Sequence, residues 1–364
     1  MMRKALVFPQ FLASNRQIMV ASATEQCCTL GREGELNERQ IVRADDCDHI
    51  PDLEGRNVLI GLLDWNLYTH EDACIISSSL ASKLSTYREV ITTFYDVDGD
   101  VQIVVKEGDK VQPNGLAGFY SDDEKMLLHN TKIPGVIKSI KVFDHEIEGR
   151  AVRCIRISVE CEYVCKVGSK LSNLHSCKSI VSKILPDDRM PMLPSGEFIE
   201  MAVSPMTILN RINGSMMMEG MLGMYCRDSN TEMELAPFHS DVTFEWASRL
   251  LTEIGLPEDC NFQLRNGSDG NLFKEKSFVG YSFLMRLHHH ADEKMMYQNK
   301  SMFDKSGLGV TGVGNTRYGR EELEILFQHG CDGIIAEMVA NSKSSALGTR
   351  IADMVEVLGY EFVE

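Results

Sequence analysis

The sequence predicts an α+β chain whose β-rich first half gives way to helical segments, and three observations carry that expectation. Arg56 to Leu63, RNVLIGLL, is a β-branched and leucine-rich run of strand length, too short for a lone helix. Between Val101 and Phe143 apolar residues alternate with polar ones between turn signals such as Glu107-Gly108-Asp109 and Gln112-Pro113-Asn114-Gly115, the pattern of a small antiparallel β module. Phe244 to Gly255 and Arg320 to Val339 then switch to helical spacing.

Taken in order, Met1 to Phe8 opens with Arg3 and Lys4. Pro9, Asn15 and Arg16 break the apolar stretch before signal-peptide length, and no run approaches the roughly 20 residues of a membrane span. Neither export by that route nor a membrane partner is expected. Residues 31 to 56 carry eight acids against four arginines and read as a solvated connector. Strand character persists from Cys154 to Cys165. Met216, Met217, Met218, Met221 and Met224 read as a packed helix rather than a cofactor box. At 364 residues the chain exceeds the roughly 250 to 300 at which single cores stop growing, so two or three compact units are expected.

A net charge of -16 excludes a protein that coats nucleic acid by bulk attraction, so any such contact must be local. The eleven cysteines include no Cys-x-x-Cys pair, which points to reduced thiols and no structural zinc. Gly307, Gly309 and Gly312 spell a dinucleotide-binding pattern, but the polar stretch from Arg286 to Met302 is no strand, so a flexible loop is the reading. Asp96, Asp98 and Asp100 around Gly99 have a spacing able to converge on Mg²⁺, and their letters equally make a β-turn, which the flanking VQIVV favours. The histidines at 288 to 290 are adjacent and cannot all face one ion on a helix.

Lys166 to Lys183, KVGSKLSNLHSCKSIVSK, holds four lysines, one histidine and no acid in an otherwise acidic chain. Lys166, Lys170, Lys178 and Lys183 are separated by small residues that let backbone approach a ligand, which suits a polyphosphate or a nucleic-acid backbone. A merely solvated basic loop is the alternative on composition alone.

Gly168 to Pro191, GSKLSNLHSCKSIVSKILPDDRMP, resembles the G-D-K-x-x-x-R-H-G-N-K-G-x-x-x-K-I-x-P-x-x-D-M-P stretch of the β subunit of multisubunit RNA polymerases. Gly55 to Leu80 resembles that family's G-R-N block ending in E-D-(A/S)-I-x-I-S. Ser204 to Gly223 resembles its N-P-x-x-x-x-S-R-M-N block, and Ser14 to Gln26 its A-N-R-x-x-M-G-A-N-M-Q-R-Q. Val279 to Gln298, Thr316 to Met338 and the tail ADMVEVLGYEFVE continue the likeness in the same order, covering the C-terminal part of a β subunit.

The resemblance implies a double-psi β-barrel from 55–92 and 159–215, interrupted by a reduced flap at 93–158. Before it stands a fork-like segment and connector at 1–54; after it come a hybrid-binding region at 216–315 and a β′-anchoring segment at 316–364. It implies that Lys170 and Lys178 meet the RNA 3′ end and incoming nucleotide, with His175 between them on nucleic acid. Arg16 and Arg211 would approach the triphosphate, where a planar fork suits phosphate oxygens. Glu71 and Asp72 would lie near the second, nucleotide-borne Mg²⁺, directly or through water. His289 and Lys294, with Asp292, would track the RNA–DNA hybrid.

The principal Mg²⁺ would belong to the N-A-D-F-D-G-D motif of a β′ partner, so this chain alone is expected to be inactive. Ser169, Leu174, Ser176, Cys177 and Ser179 depart from the motif's Asp, Arg, Gly, Asn and Gly. Ser22, Glu25, Met296 and Gln298 depart elsewhere. Length and divergence resemble the split β and β′ subunits of giant bacteriophage RNA polymerases. The expected partners are therefore a separate N-terminal β fragment, a β′ subunit, a phage promoter-specificity factor, DNA template, RNA and NTPs. The expected location is the cytoplasm of an infected bacterium or the phage nucleus, or packaging in the virion. The alternatives are a non-catalytic nucleic-acid-binding or assembly factor and a stand-alone polymerase using Asp96, Asp98 and Asp100.

Overall fold

The computed structural model describes residues 7–32, 38–45, 54–95, 101–120, 126–147, 150–291 and 320–341. The chain divides into two units, Met1–Glu293 and Lys294–Glu364. The aspartates at 96 to 100, the glycines at 307 to 312, Asp292 and Lys294 lie outside the described residues.

The first unit begins with helix α1 (Ser14–Glu25) and strand β1 (Val42–Ala44), followed by β2 (Arg56–Leu62), β3 (Ala73–Ser77), α2 (Ser78–Lys83) and β4 (Thr86–Phe94). Short strands β5 (Val101–Ile103), β6 (Lys110–Val111), β7 (Leu116–Tyr120) and β8 (Met126–Leu128) lead to the long hairpin β9 (Gly135–Ile147) and β10 (Arg150–Tyr163). Then come β11 (Lys170–Asn173), β12 (Lys178–Leu185), β13 (Met201–Val203), α3 (Met206–Leu209) and α4 (Gly214–Asp228). The unit ends with β14 (Met233–Leu235), α5 (Phe244–Glu253), β15 (Asn261–Phe262) and β16 (Ser277–Arg286).

Six strands close on themselves in the order β11-β12-β3-β13-β2-β16, with β16 returning to pair β11. The β12–β3 and β13–β2 contacts are parallel and the others antiparallel. Closure removes the sheet edges that would otherwise need covering. Ile60, Ile76, Leu171, Val181, Ile199 and Met201 belong to one buried core.

The closing strand comes from Ser277–Arg286, outside the segments expected to build the barrel and inside the expected hybrid-binding region. Its letters SFVGYSFLMR hardly alternate because all ten residues are buried, and a strand covered on both faces shows little period-two pattern. Helix α4 packs against it at glycine contacts: a Cβ on Gly280 would stand 2.5 Å from the Gly220 Cα. Met216, Met218, Met221 and Met224 on this helix are core.

Conversely, Thr86 to Thr92, expected in the barrel, pairs with β10 in a separate four-stranded sheet, β4-β10-β9-β6. Glu89 and Ile91 are exposed on one face of β4 while Val90 and Phe94 pack against a core on the other, so this strand suits a ribbon open to water on one face. Ile137, Ile155, Ile157 and Val159 give that sheet its own small core, and β5-β7-β8 form a further three-stranded sheet.

The acidic connector also contains more than solvated loop. Val42 and Ala44 are buried in β1, which pairs in parallel with β14, while Arg43 between them bonds Glu232 and Glu234. Three residues are too few for a period to register in the sequence.

In the second unit, helices Arg320–Gln328 and Asp332–Asn341 replace the continuous spacing expected from Arg320 to Val339. Gly330 at φ +66° ends the first: its N–H bonds the Phe327 carbonyl and the Cys331 N–H bonds that of Leu326, a left-handed glycine stop. Among the described residues no helix is long and apolar enough to cross a membrane.

The α4–β16 contact yields a stability prediction. Gly280→Ala forces the helix from the strand and lowers stability by about 1–3 kcal/mol, the usual cost of overpacking, whereas Gly214→Ala, where a Cβ meets nothing nearer than 3.6 Å, lacks that clash. Urea unfolding of the complete chain checks it.

Candidate functional site

The basic segment folds as the β11–β12 hairpin of the barrel. Its register sets Lys170 opposite Ile180 and Ser172 opposite Lys178, so Lys170 and Lys178 share one face. Ahead of β11, the Ser169 hydroxyl accepts the Lys166 N–H at 3.0 Å and the Gly168 N–H bonds the Val181 carbonyl at 2.8 Å. A serine where the motif has aspartate therefore still closes this turn.

The turn from Leu174 to Cys177 is held by two asparagines. Asn173 Oδ1 accepts the N–H groups of His175 and Cys177, each at 3.0 Å, and Asn213 Nδ2 donates to the His175 carbonyl at 2.7 Å. Ser176 has φ +62°, the left-handed region that the motif's glycine enters freely and a serine does not. The Cys177 thiol is buried, which disfavours thiolate and pushes its pKa up to about 11 despite the opposing charge of Arg211.

His175 is a correction to the expected nucleic-acid contact. It has no exposed surface, and its Nε2 lies 2.8 Å from a Glu219 carboxylate oxygen. Glu219, itself buried on α4, also accepts the Ser282 hydroxyl at 2.5 Å and the Phe283 N–H at 3.1 Å. A buried carboxylate is tolerable only when its lone pairs are filled, and here β16 and the hairpin turn fill those of an acid carried by α4.

Gln26, the residue after α1, gathers the surface groups. Its side-chain oxygen accepts Lys178 Nζ at 3.3 Å and His289 Nε2 at 2.8 Å, while its carbonyl accepts the His288 N–H at 2.9 Å. On the other side of β12, the Asp72 carbonyl accepts the Ile180 N–H at 2.8 Å, and the Asp72 side chain pairs with Arg211. Thr207 Oγ1 holds the carbonyl of Glu71, whose φ is +48°. Lys183, farther along β12, lies 4.2 Å from the centre of the Tyr68 ring. Arg16 sits on α1, whose approach bridges Leu12 to Asn213, two residues from Arg211; its guanidinium donates to the Met19 sulfur at 3.1 Å.

One hairpin and three segments distant from it in sequence thus bring Lys170, Lys178, His289, Asp72 and Arg211 to one end of the barrel, with Arg16 on the flanking helix. Sequence reasoning overlooked Gln26, Glu219, Asn173 and Asn213. Gln26 closes the Ser14–Gln26 block, and Glu219 is the one acid in a methionine run, so both had a visible signal.

The family model described as RNA polymerase Rpb2, domain 6, matches residues 103–305, more than half of the chain. The chain belongs to this Rpb2 domain 6 family. Among its relatives is the DNA-directed RNA polymerase subunit beta of Streptococcus agalactiae serotype Ia, 26% identical over an alignment covering 88% of this chain and 32% of that protein. The subunits beta of Streptococcus equi subsp. zooepidemicus and Streptococcus sanguinis are 25% identical with the same coverage. The chain spans about a third of the length of these relatives.

The Rpb2 domain 6 core makes two outcomes measurable. Glu219→Ala strands the His175 ring, the Ser282 hydroxyl and the Phe283 N–H, and lowers stability by about 3 kcal/mol or more in urea unfolding. Iodoacetamide at pH 8 leaves Cys177 unmodified in the folded chain, because only about one thiol in a thousand is ionised three units below its pKa, and modifies it in urea; peptide mass analysis reads this.

Proposed function

We propose that this chain is the C-terminal part of a DNA-directed RNA polymerase β subunit, which supplies cations to the RNA 3′ end, the NTP triphosphate and the hybrid backbone during templated nucleotidyl transfer. The observation that carries the reading is the convergence of Lys178 and His289 on Gln26 beside the Asp72–Arg211 pair, at the end of a closed barrel.

In that reaction a transcript 3′-hydroxyl attacks an α-phosphate and pyrophosphate leaves, so the protein mainly positions charge. Lys170 and Lys178 lie on one face of a hairpin, where both can serve one phosphate-bearing ligand. Arg211 is mostly buried, but the carboxylate of its partner Asp72 is half exposed and can turn out into water. A triphosphate arriving from the solvent side would meet the guanidinium where Asp72 now sits. Arg16, on the neighbouring helix, adds a second fork. His175 acts from beneath, holding the turn.

Glu71 and Asp72 are two neighbouring carboxylates with no third ligating side chain gathered beside them among the described residues. That donor set fits Mg²⁺ ligated mostly by water and substrate phosphates. When bound there, the ion would neutralise triphosphate charge; the principal Mg²⁺ belongs to the β′ partner in this reading.

The same proposal includes a double-psi strand path for the barrel, a flap role for the sheets from Thr86 to Tyr163, and contacts from Lys166 and Lys183 to nucleic acid. Its partners are the N-terminal part of β, a β′-like chain, a promoter-specificity factor, template and transcript. A giant-bacteriophage origin, with work in the infected cytoplasm, is the source we favour. The low identity to the bacterial relatives and the replaced motif positions at 169, 174, 176, 177 and 179 support it.

The test is reconstitution of the complex from co-purified chains and single-nucleotide addition. Lys170→Ala and Lys178→Ala lower kcat by about 100-fold, and Arg211→Ala raises the KM for NTP by about 10-fold or more. Unchanged rates in all three variants would show a scaffold or assembly factor instead.

A further inference from the structure

Among the described residues Arg286 is the largest side chain with under 2% exposure, and no carboxylate of theirs pairs with it. Its guanidinium donates to backbone carbonyls instead: Nη1 to Leu84 at 2.8 Å and to Tyr163, and Nη2 to Val164 at 3.1 Å. Nη2 also lies 3.3 Å from His290 Nδ1, and the His290 ring stacks on that of Tyr163 with centroids 4.2 Å apart. A buried cation costs solvation that an aliphatic side chain of similar length would not, so filling volume does not account for it. What the guanidinium does is bind three carbonyls that no apolar side chain can bind.

Those carbonyls flank the outlying sheet. Leu84 lies just before β4 and Tyr163 and Val164 at the end of β10, where that sheet joins the barrel. The backbone of Arg286 faces the site. Arg286 pairs with Leu171 in register, the Leu287 N–H bonds the Lys170 carbonyl at 2.9 Å, and the Cys28 N–H bonds the Arg286 carbonyl at 2.8 Å. Two and three residues farther on, His288 and His289 hold Gln26, which holds Lys178.

We propose that Arg286 is a positioning residue that ties the base of the outlying sheet to the hairpin, fixing Lys170 directly through the strand and Lys178 through His289 and Gln26. It touches no substrate. The inference deepens the polymerase reading and rests on it for its kinetic arm alone.

The experiment compares Arg286→Met and Arg286→Lys in the reconstituted polymerase. Met fills the volume without donors; Lys keeps a charge able to reach the carbonyls. Arg286→Met lowers kcat for nucleotide addition about 10-fold while the KM for NTP stays within about twofold, and Arg286→Lys recovers to within about threefold of the unaltered enzyme. In a Gln26→Ala background, Arg286→Met still costs the part of its loss that runs through Lys170 but clearly less than the full 10-fold, because the Lys178 route is already broken and residues sharing a route are not additive. A full, additive loss in that background, or no loss in the first, overturns the proposal.

A second readout needs no activity. Amide exchange in the complete chain rises at Cys28, Leu287 and His288 in Arg286→Met while α4 stays protected; unchanged exchange at those three amides overturns the tie. If the unaltered complex fails to polymerise, the polymerase reading falls, and the exchange result still decides whether Arg286 holds the hairpin.

Discussion

A carboxylate buried among methionines sets the terms for the rest of the chain. Glu219 lies on an otherwise apolar helix stretch, where an unfilled charge would cost several kcal/mol. Its demand for donors is met by an imidazole from the hairpin turn, a hydroxyl and a backbone N–H from the closing strand. Helix, strand and turn therefore have one mutual arrangement in which all three are satisfied. The surface lysines inherit that arrangement, since the turn they flank cannot shift without stranding the buried acid.

The barrel explains how a chain of net charge -16 presents a local cluster of cations. Lysines of like charge repel, and holding them close on a mobile loop would also cost side-chain entropy. On a closed ring of strands the backbone carries no such freedom, and the remaining charge is balanced nearby: Gln26 accepts from Lys178, Asp72 pairs with Arg211, and the Tyr68 ring faces Lys183. Gln26 and Tyr68 are uncharged partners, and the Asp72 carboxylate is half exposed. They keep the cations oriented and give them up to a stronger anion, which is what a phosphate site requires.

Charge and period were the legible signals. The inversion of sign from Lys166 to Lys183 marked the hairpin, and the run at Arg56 marked a barrel strand, because both are properties of adjacent letters. Pairings between distant segments left no such trace: β16 joins β2 and β11 across gaps of more than a hundred residues. Exposure was equally invisible, so His175 read as a surface contact when the fold spends it on Glu219. Arg286 read as the start of a polar stretch, although it is the last residue of a fully buried strand. Gln26 showed only as the end of a motif block, since an uncharged amide at a helix end is ordinary until a lysine and a histidine meet on it.

The strand that closes the ring is also the last of its members to be made. Between Asn173 and Ser277 about a hundred residues intervene, so a ribosome adding 5 to 20 residues per second needs roughly 5 to 20 seconds to cover them. During that interval the exposed borders of β2 and β11 have no neighbour, and the lysine-bearing hairpin rests on a half-built cylinder. Nascent chains of this protein are thus most vulnerable to mispairing or capture by chaperones in that window, after the positively charged letters have emerged and before the strand carrying Gly280 arrives to seal them in.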